Sequence, residues 1–368
     1  MSSHDPVPHF AATYAEARDK FVTAAQAQGL ALQRFDHPSA RGAQGEGLSI
    51  DVATLGPADA PAALLLISGT HGAEGFCGSG CQVGLLHDVP FMAAARASGV
   101  RLVLLHALNP FGFSHLRRTN EDNVDLNRNF RDFSRPPAAN PAYAEVHALI
   151  VPSEWPPTAE NERRLRDYAA EHGERALQAA VSGGQCEFPD GLFYGGARPA
   201  WSNRVLRDLL RAQGARCATL GCIDFHTGLG PRGHGEKIFA GRPADIDRAR
   251  RWWGDDVTSF HDGSSTSAPL TGVNYNAAYD ECPQAAYAGI ALEYGTLSFA
   301  DVLQALRGDQ WLANHAGVAA AQRDAIKQRV REAFYQDAPD WKRQVYEQAR
   351  AATLAALDAL RRAQTAPR

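Results

Sequence analysis

Four short, almost unbroken apolar runs constrain this chain more than any other feature. They are residues 62–68 (AALLLIS), 101–108 (RLVLLHAL), 218–225 (ATLGCIDF) and 288–293 (AGIALE), set off by glycine, proline and polar residues. A strand with one face in water alternates apolar and polar residues, whereas a continuous apolar run suits a strand covered on both faces. A fifth run, 48–55 (LSIDVATL), has the alternating character. Helical stretches are expected at 5–28, 79–87, 159–181, 201–213 and 341–363. Strands covered on both faces and separated by helices imply an α/β layer structure.

Proline-rich patches at 135–141 and 151–157 bound an excursion from the sheet. With no internal repeat or linker in view, the expectation is one domain over 1–368, with an insertion around 131–195 and a C-terminal helix at 341–363. A chain of 368 residues is long enough for this. Its 37 Lys+Arg against 41 Asp+Glu give a formal charge of −4, so there is no global basic field for nucleic acid or anionic membrane. No apolar run approaches the length of a membrane span, and the N-terminus lacks a secretory pattern. Six cysteines without a CxxC pair read as reduced thiols, and the expected location is cytoplasmic.

The chemistry gathers where the apolar runs end. Directly after 62–68 comes Gly69-Thr-His-Gly-Ala-Glu-Gly75, in which His71 and Glu74 stand in H-x-x-E spacing. A tight, glycine-flanked turn lets an imidazole and a carboxylate converge on one cation. H-x-x-E alone is common and can equally be a solvated helix entry. A third ligand is available in Cys222-Ile-Asp-Phe-His226, again at the end of an apolar run and so on the same sheet edge. Asp224, two positions earlier on the same strand face, is placed to hold the imidazole of His226. Glu293 ends the run 288–293, where a carboxylate can move a proton to and from a metal-activated water. Between the ligands, residues 116–130 (LRRTNEDNVDLNRNF) are too polar for core and too irregular for an amphipathic helix. Their arginines offer planar forks for carboxylates or oxyanions, and Asn127-Arg128 forms a natural clamp for an anionic substrate end.

The order H-x-x-E, Arg, Asp125-Leu-Asn-Arg-Asn-Phe130, strand-end His and Leu292-Glu-Tyr-Gly295 resembles the zinc carboxypeptidase superfamily. That group spans carboxypeptidase A-like peptidases and the aspartoacylase–succinylglutamate desuccinylase branch. Asn109-Pro-Phe-Gly-Phe113 and Pro189-Asp-Gly-Leu-Phe-Tyr-Gly195 also resemble an uncharacterised bacterial subgroup. The resemblance spans about residues 60–300. It implies a central mixed, largely parallel sheet with helices on both faces and loop or helix insertions. It further implies one Zn2+ on His71, Glu74 and His226, with Glu293 as general base and acid. Asn127 and Arg128 would bind a substrate carboxylate, and Arg117 would stabilise the oxyanion, with the adjacent Arg118 as alternative. Tyr275, with Tyr279 as alternative, would cap the substrate. The implied activity is hydrolysis of an amide or peptide bond next to a free carboxylate, either as a carboxypeptidase or as an N-acyl-amino-acid deacylase. The partner is then a small peptide or N-acyl amino acid, not nucleic acid or membrane, in a monomer or homo-oligomer. A noncatalytic metal-binding interaction protein is the alternative from a different class.

Overall fold

The computed structural model describes residues 5–214 and 216–365. Seven strands, β1 (Ala31–Arg41), β2 (Gly47–Leu55), β3 (Ala62–Ile67), β4 (Arg101–His106), β5 (Thr219–Arg232), β6 (Gly235–Phe239) and β7 (Ala286–Gly295), form one sheet. Their spatial order is β1-β2-β4-β3-β5-β7-β6. The four apolar runs are the four central strands, parallel to one another, while β1, β2 and β6 pair antiparallel at the edges.

The unbroken apolar pattern has the expected cause. Along β3, Leu64 and Leu66 enter a core with Phe21, Phe76 and Trp341, from the helices Tyr14–Ala27, Gly75–His87 and Pro339–Thr365. Ala63, Leu65 and Ile67 point the other way, into a core with Leu206 and Leu209 of Trp201–Gly214 and Ala277 of Tyr275–Glu281. A third cluster joins the helices Pro141–Ile150, Glu174–Ser182, Phe299–Asn314 and Ala320–Phe334. It therefore ties part of the segment 131–195 to the helices that follow β7. The C-terminal helix packs on the sheet through Trp341 and Val345, both fully buried.

Several expectations need correction. The stretch 159–181 is two helices, Ala159–His172 and Glu174–Ser182, because Gly173 between them has φ 92°. The first long helix starts only at Tyr14, where the hydroxyl of Thr13 accepts from the backbone N–H of Glu16. The helix expected at 79–87 begins earlier, at Gly75. His226 and Glu293 lie inside β5 and β7 rather than at their ends, both strands running on beyond them. Edge strand β1 escaped notice because it is polar and largely exposed, so it lacks the apolar signal that marks the covered strands. Among the described residues, no helix is long and apolar enough to cross a membrane.

Candidate active site

Parallel pairing sets the frame of the site. Ile67 of β3 is in register with Asp224 of β5, and His226 of β5 with Glu293 of β7. Neighbouring strands β3, β5 and β7 thus bring His71, just beyond the end of β3, and His226 and Glu293, in the carboxyl halves of β5 and β7, to one rim, where open α/β sheets place ligands. After β3 the chain makes a 3-10 turn, Gly72–Glu74, and enters the helix Gly75–His87. The turn is clamped from outside: the N–H of Ala73 donates to the carbonyl of Arg117 at 2.8 Å, and that of Gly72 to the carbonyl of Arg118 at 3.3 Å. Position 72 must be glycine, since a Cβ there would stand 1.9 Å from the backbone carbon of Gly112.

The three expected ligands converge. His71 Nδ1 lies 2.9 Å from Glu74 Oε1, and His226 Nδ1 lies 3.0 Å from Glu74 Oε2 and 3.2 Å from His71 Nδ1. All three residues are nearly fully buried, and one donor atom from each falls within 4.8 Å of the others. Two imidazole nitrogens turned toward each other and toward a carboxylate suit a shared cation. The far side of His226 supports the same view. Its Nε2 donates to Asp224 Oδ2 at 2.7 Å, so that in the neutral imidazole the Nδ1 lone pair faces the cluster. Asp224 in turn accepts from the hydroxyl of Thr70 and from Asn274 Nδ2. Two imidazoles and a carboxylate are a donor set that zinc accepts with a position left open, so the residues fit the metal.

Burial opposes ionisation of Glu74, yet the charges of His71 and His226 outweigh it and hold the carboxyl well below the usual range. Glu293 behaves in the opposite way. Burial, with the negative Glu74 nearby, pushes its pKa up to about 8 against the opposing pull of His226 and Arg118. Its carboxyl accepts from the N–H of Leu229 at 3.1 Å. Two carboxylates at one rim are thereby driven apart, one kept anionic and the other basic enough to hold a proton near neutral pH.

The arginines divide. Arg117 turns away from the ligands, its guanidinium held by Asp309 at 3.2 Å and Asn123 at 2.9 Å. Arg118 is the one against them. Its Nε donates to Asp125 at 2.9 Å and its Nη1 to Glu74 at 3.2 Å, with Nη2 2.8 Å from His71 Nε2. Of the two, Arg118 is thus the one whose guanidinium reaches the ligands, while the carbonyls of both clamp the turn. Arg128 is buried, and burial lowers its pKa to about 10. Its Nε and Nη2 donate to the carbonyl of Ser182, and its Nη1 to that of Asn127. Asn127 Oδ1 accepts from the N–H of Asn274 at 2.9 Å. Tyr275 lines the cavity, whereas the hydroxyl of Tyr279 is engaged with Asp245 and the N–H of Arg242.

Asp125, Asn274, Thr70 and Phe193 complete the site without having been singled out from the sequence. Asp125 is fully buried, 3.2 Å from His71 Nε2 as well as paired to Arg118. Its presence in the D-L-N-R-N-F motif was the available signal. Much of the cavity wall above the ligands is apolar, formed by Val302 and Leu306 of Phe299–Asn314, by Phe334, and by Phe239, Phe260 and Leu270.

Residues 10–348 match the model of a family described as "Protein of unknown function (DUF2817)". No curated protein matches the sequence significantly. Among solved structures, bovine thrombin-activatable fibrinolysis inhibitor in complex with tick carboxypeptidase inhibitor is similar over 96% of this chain and 98% of that chain, at 10% identity and TM-score 0.51. Carboxypeptidase A from Helicoverpa armigera is similar over 93% of this chain and 74% of that chain, at 14% identity and TM-score 0.44. At 10% identity the likeness to the former is one of fold alone, a carboxypeptidase-like α/β architecture.

Proposed function

We propose, for a chain that belongs to the DUF2817 family, a metal-dependent hydrolase of amide bonds next to a free carboxylate, with zinc as the metal. The observation that carries the reading is the convergence of His71, Glu74 and His226 beside a carboxyl with raised pKa, Glu293, in a cavity that two arginines line. His71, Glu74 and His226 would hold a divalent cation, which would supply Lewis acidity to polarise a carbonyl and make water more acidic. Glu293 takes the proton of the attacking water and passes it to the departing amine. Arg118 directs its donors at the oxygen on which negative charge develops. Asn127 and Arg128 orient the substrate carboxylate, and Tyr275 covers it. The apolar wall takes an uncharged side chain or acyl group. Helices Glu174–Ser182 and Phe299–Asn314 both line the cavity, and this roof favours peptide ends and N-acyl amino acids over folded proteins.

The test joins metal analysis of the natively purified protein to a panel of N-acyl amino acids and C-terminally unblocked dipeptides. Chelation should abolish turnover, and added zinc should restore it. Glu293→Gln should lower kcat by about 10²–10⁴-fold with metal content unchanged. Full activity of the zinc-loaded variant would sink the assignment of Glu293. No metal after purification or reconstitution would sink the function.

A further inference from the structure

Phe193 lies in the segment Pro189-Asp-Gly-Leu-Phe-Tyr-Gly195, and its backbone is strained. Its φ is 53°, a region that a bulky aromatic residue rarely adopts. Glycine would carry no such strain, and glycines stand close by at 191, 195 and 196. Strain of this kind persists only where the surroundings impose it, often at sites that need one side chain in one place. Here both flanks are pinned. Gln185 donates from its backbone N–H to the carbonyl of Phe193 and from Nε2 to that of Leu192, and the N–H of Asp125 donates to the carbonyl of Tyr194.

The ring is buried, lines the cavity, and has two guanidiniums over it, Arg118 at 4.8 Å and Arg128 at 5.5 Å from its centroid. Hydrogen bonds hold the edges of these arginines: Asp125 and Glu74 for Arg118, the carbonyls of Ser182 and Asn127 for Arg128. Edge contacts leave each plane free to tilt. An aromatic ring within reach of both guanidiniums limits that freedom and attracts each cation through its quadrupole. Each arginine repels the other, and a shared ring lets both stay close without meeting.

We propose that Phe193 is a positioning residue whose ring supports Arg118 and Arg128 together, and so sets the span between the scissile carbonyl and the substrate carboxylate. The inference rests on the hydrolase reading above. Its test compares wild type with Phe193→Leu, which keeps apolar bulk but has no π face, and Phe193→Tyr, which keeps the face. Each is assayed on an N-acyl amino acid and on its carboxamide, with thermal unfolding measured in parallel. Phe193→Leu should lower kcat/KM on the carboxylate substrate by roughly tenfold or more. It should also shrink the preference for carboxylate over carboxamide, and Phe193→Tyr should restore both. A Phe193→Leu protein that melts earlier but keeps kcat, KM and that preference within about twofold overturns the inference. If wild type turns over no substrate, the hydrolase reading fails, and calorimetric binding of N-acetylphenylalanine decides the positioning role. Weaker binding by Phe193→Leu than by wild type and Phe193→Tyr supports it. Equal binding by all three, or none by wild type, overturns it.

Discussion

Asp224 offers a quantitative check on the metal site. Its carboxylate accepts from His226 Nε2 at 2.7 Å, from Asn274 Nδ2 at 2.7 Å and from the hydroxyl of Thr70 at 2.9 Å. In Asp224→Asn, an amide oxygen in the place of Oδ2 can still accept from His226 and Asn274. The amide nitrogen then faces Thr70, whose hydroxyl rotates to accept. The geometry survives, and what is lost is charge. A charge-assisted hydrogen bond is about twice as strong as a neutral one, so the bond to His226 weakens by roughly 1–1.5 kcal/mol. At 1.36 kcal/mol per decade, zinc affinity should fall about tenfold. Asp224→Ala removes the bond altogether and leaves His226 Nε2–H and Asn274 Nδ2 without their acceptor. The fall should then approach about a hundredfold. The assay is chelator competition for zinc at pH 7.5, with circular dichroism confirming that each variant is folded. A folded Asp224→Ala protein that binds zinc within twofold of wild type would refute the claim that Asp224 holds His226 as a ligand.

Exchanging the adjacent arginines should separate their roles. Arg118→Ala should lower kcat/KM by about 10²–10³-fold, while Arg117→Ala, losing its bond to Asp309, should chiefly lower the melting temperature; the reverse ranking would restore Arg117 as the oxyanion group. Gly72→Ala forces a Cβ into the backbone of Gly112, so it should destabilise by at least about 1–3 kcal/mol and weaken metal binding, read by denaturant unfolding and metal content. His106, buried beside Ser79 and stacked on Phe21, has its pKa lowered by burial from 6.5 to about 4. The unfolded chain therefore binds more protons between these values. Stability supplied by neutral His106 is full above pH 6.5 and declines as pH falls toward 4, by about 3 kcal/mol in all. His106→Gln should flatten that part of the stability–pH curve, and an unchanged slope would show that another group is responsible.

The sequence by itself determined the layered fold, because burial on both faces leaves a continuous apolar run that is readable without neighbours. It also singled out His71, Glu74, His226 and Glu293, because a polar residue that breaks such a run marks the rim where strand faces run out. Edge strand β1 had no comparable mark, since it is largely exposed and its residues need not be apolar, and β6 is a short segment, GEKIF, that carries two charged residues. Only the tertiary structure shows that the guanidinium of Arg118, and not that of Arg117, lies against the ligands. Adjacent residues in an irregular loop have no periodicity to say which faces inward, and the distinction came from Asp309, 192 positions away from Arg117. The same holds for Asp125, Asn274 and Phe193. Their significance lies in what they touch across the fold, and contacts between distant segments leave no trace in the spacing of residues along the chain.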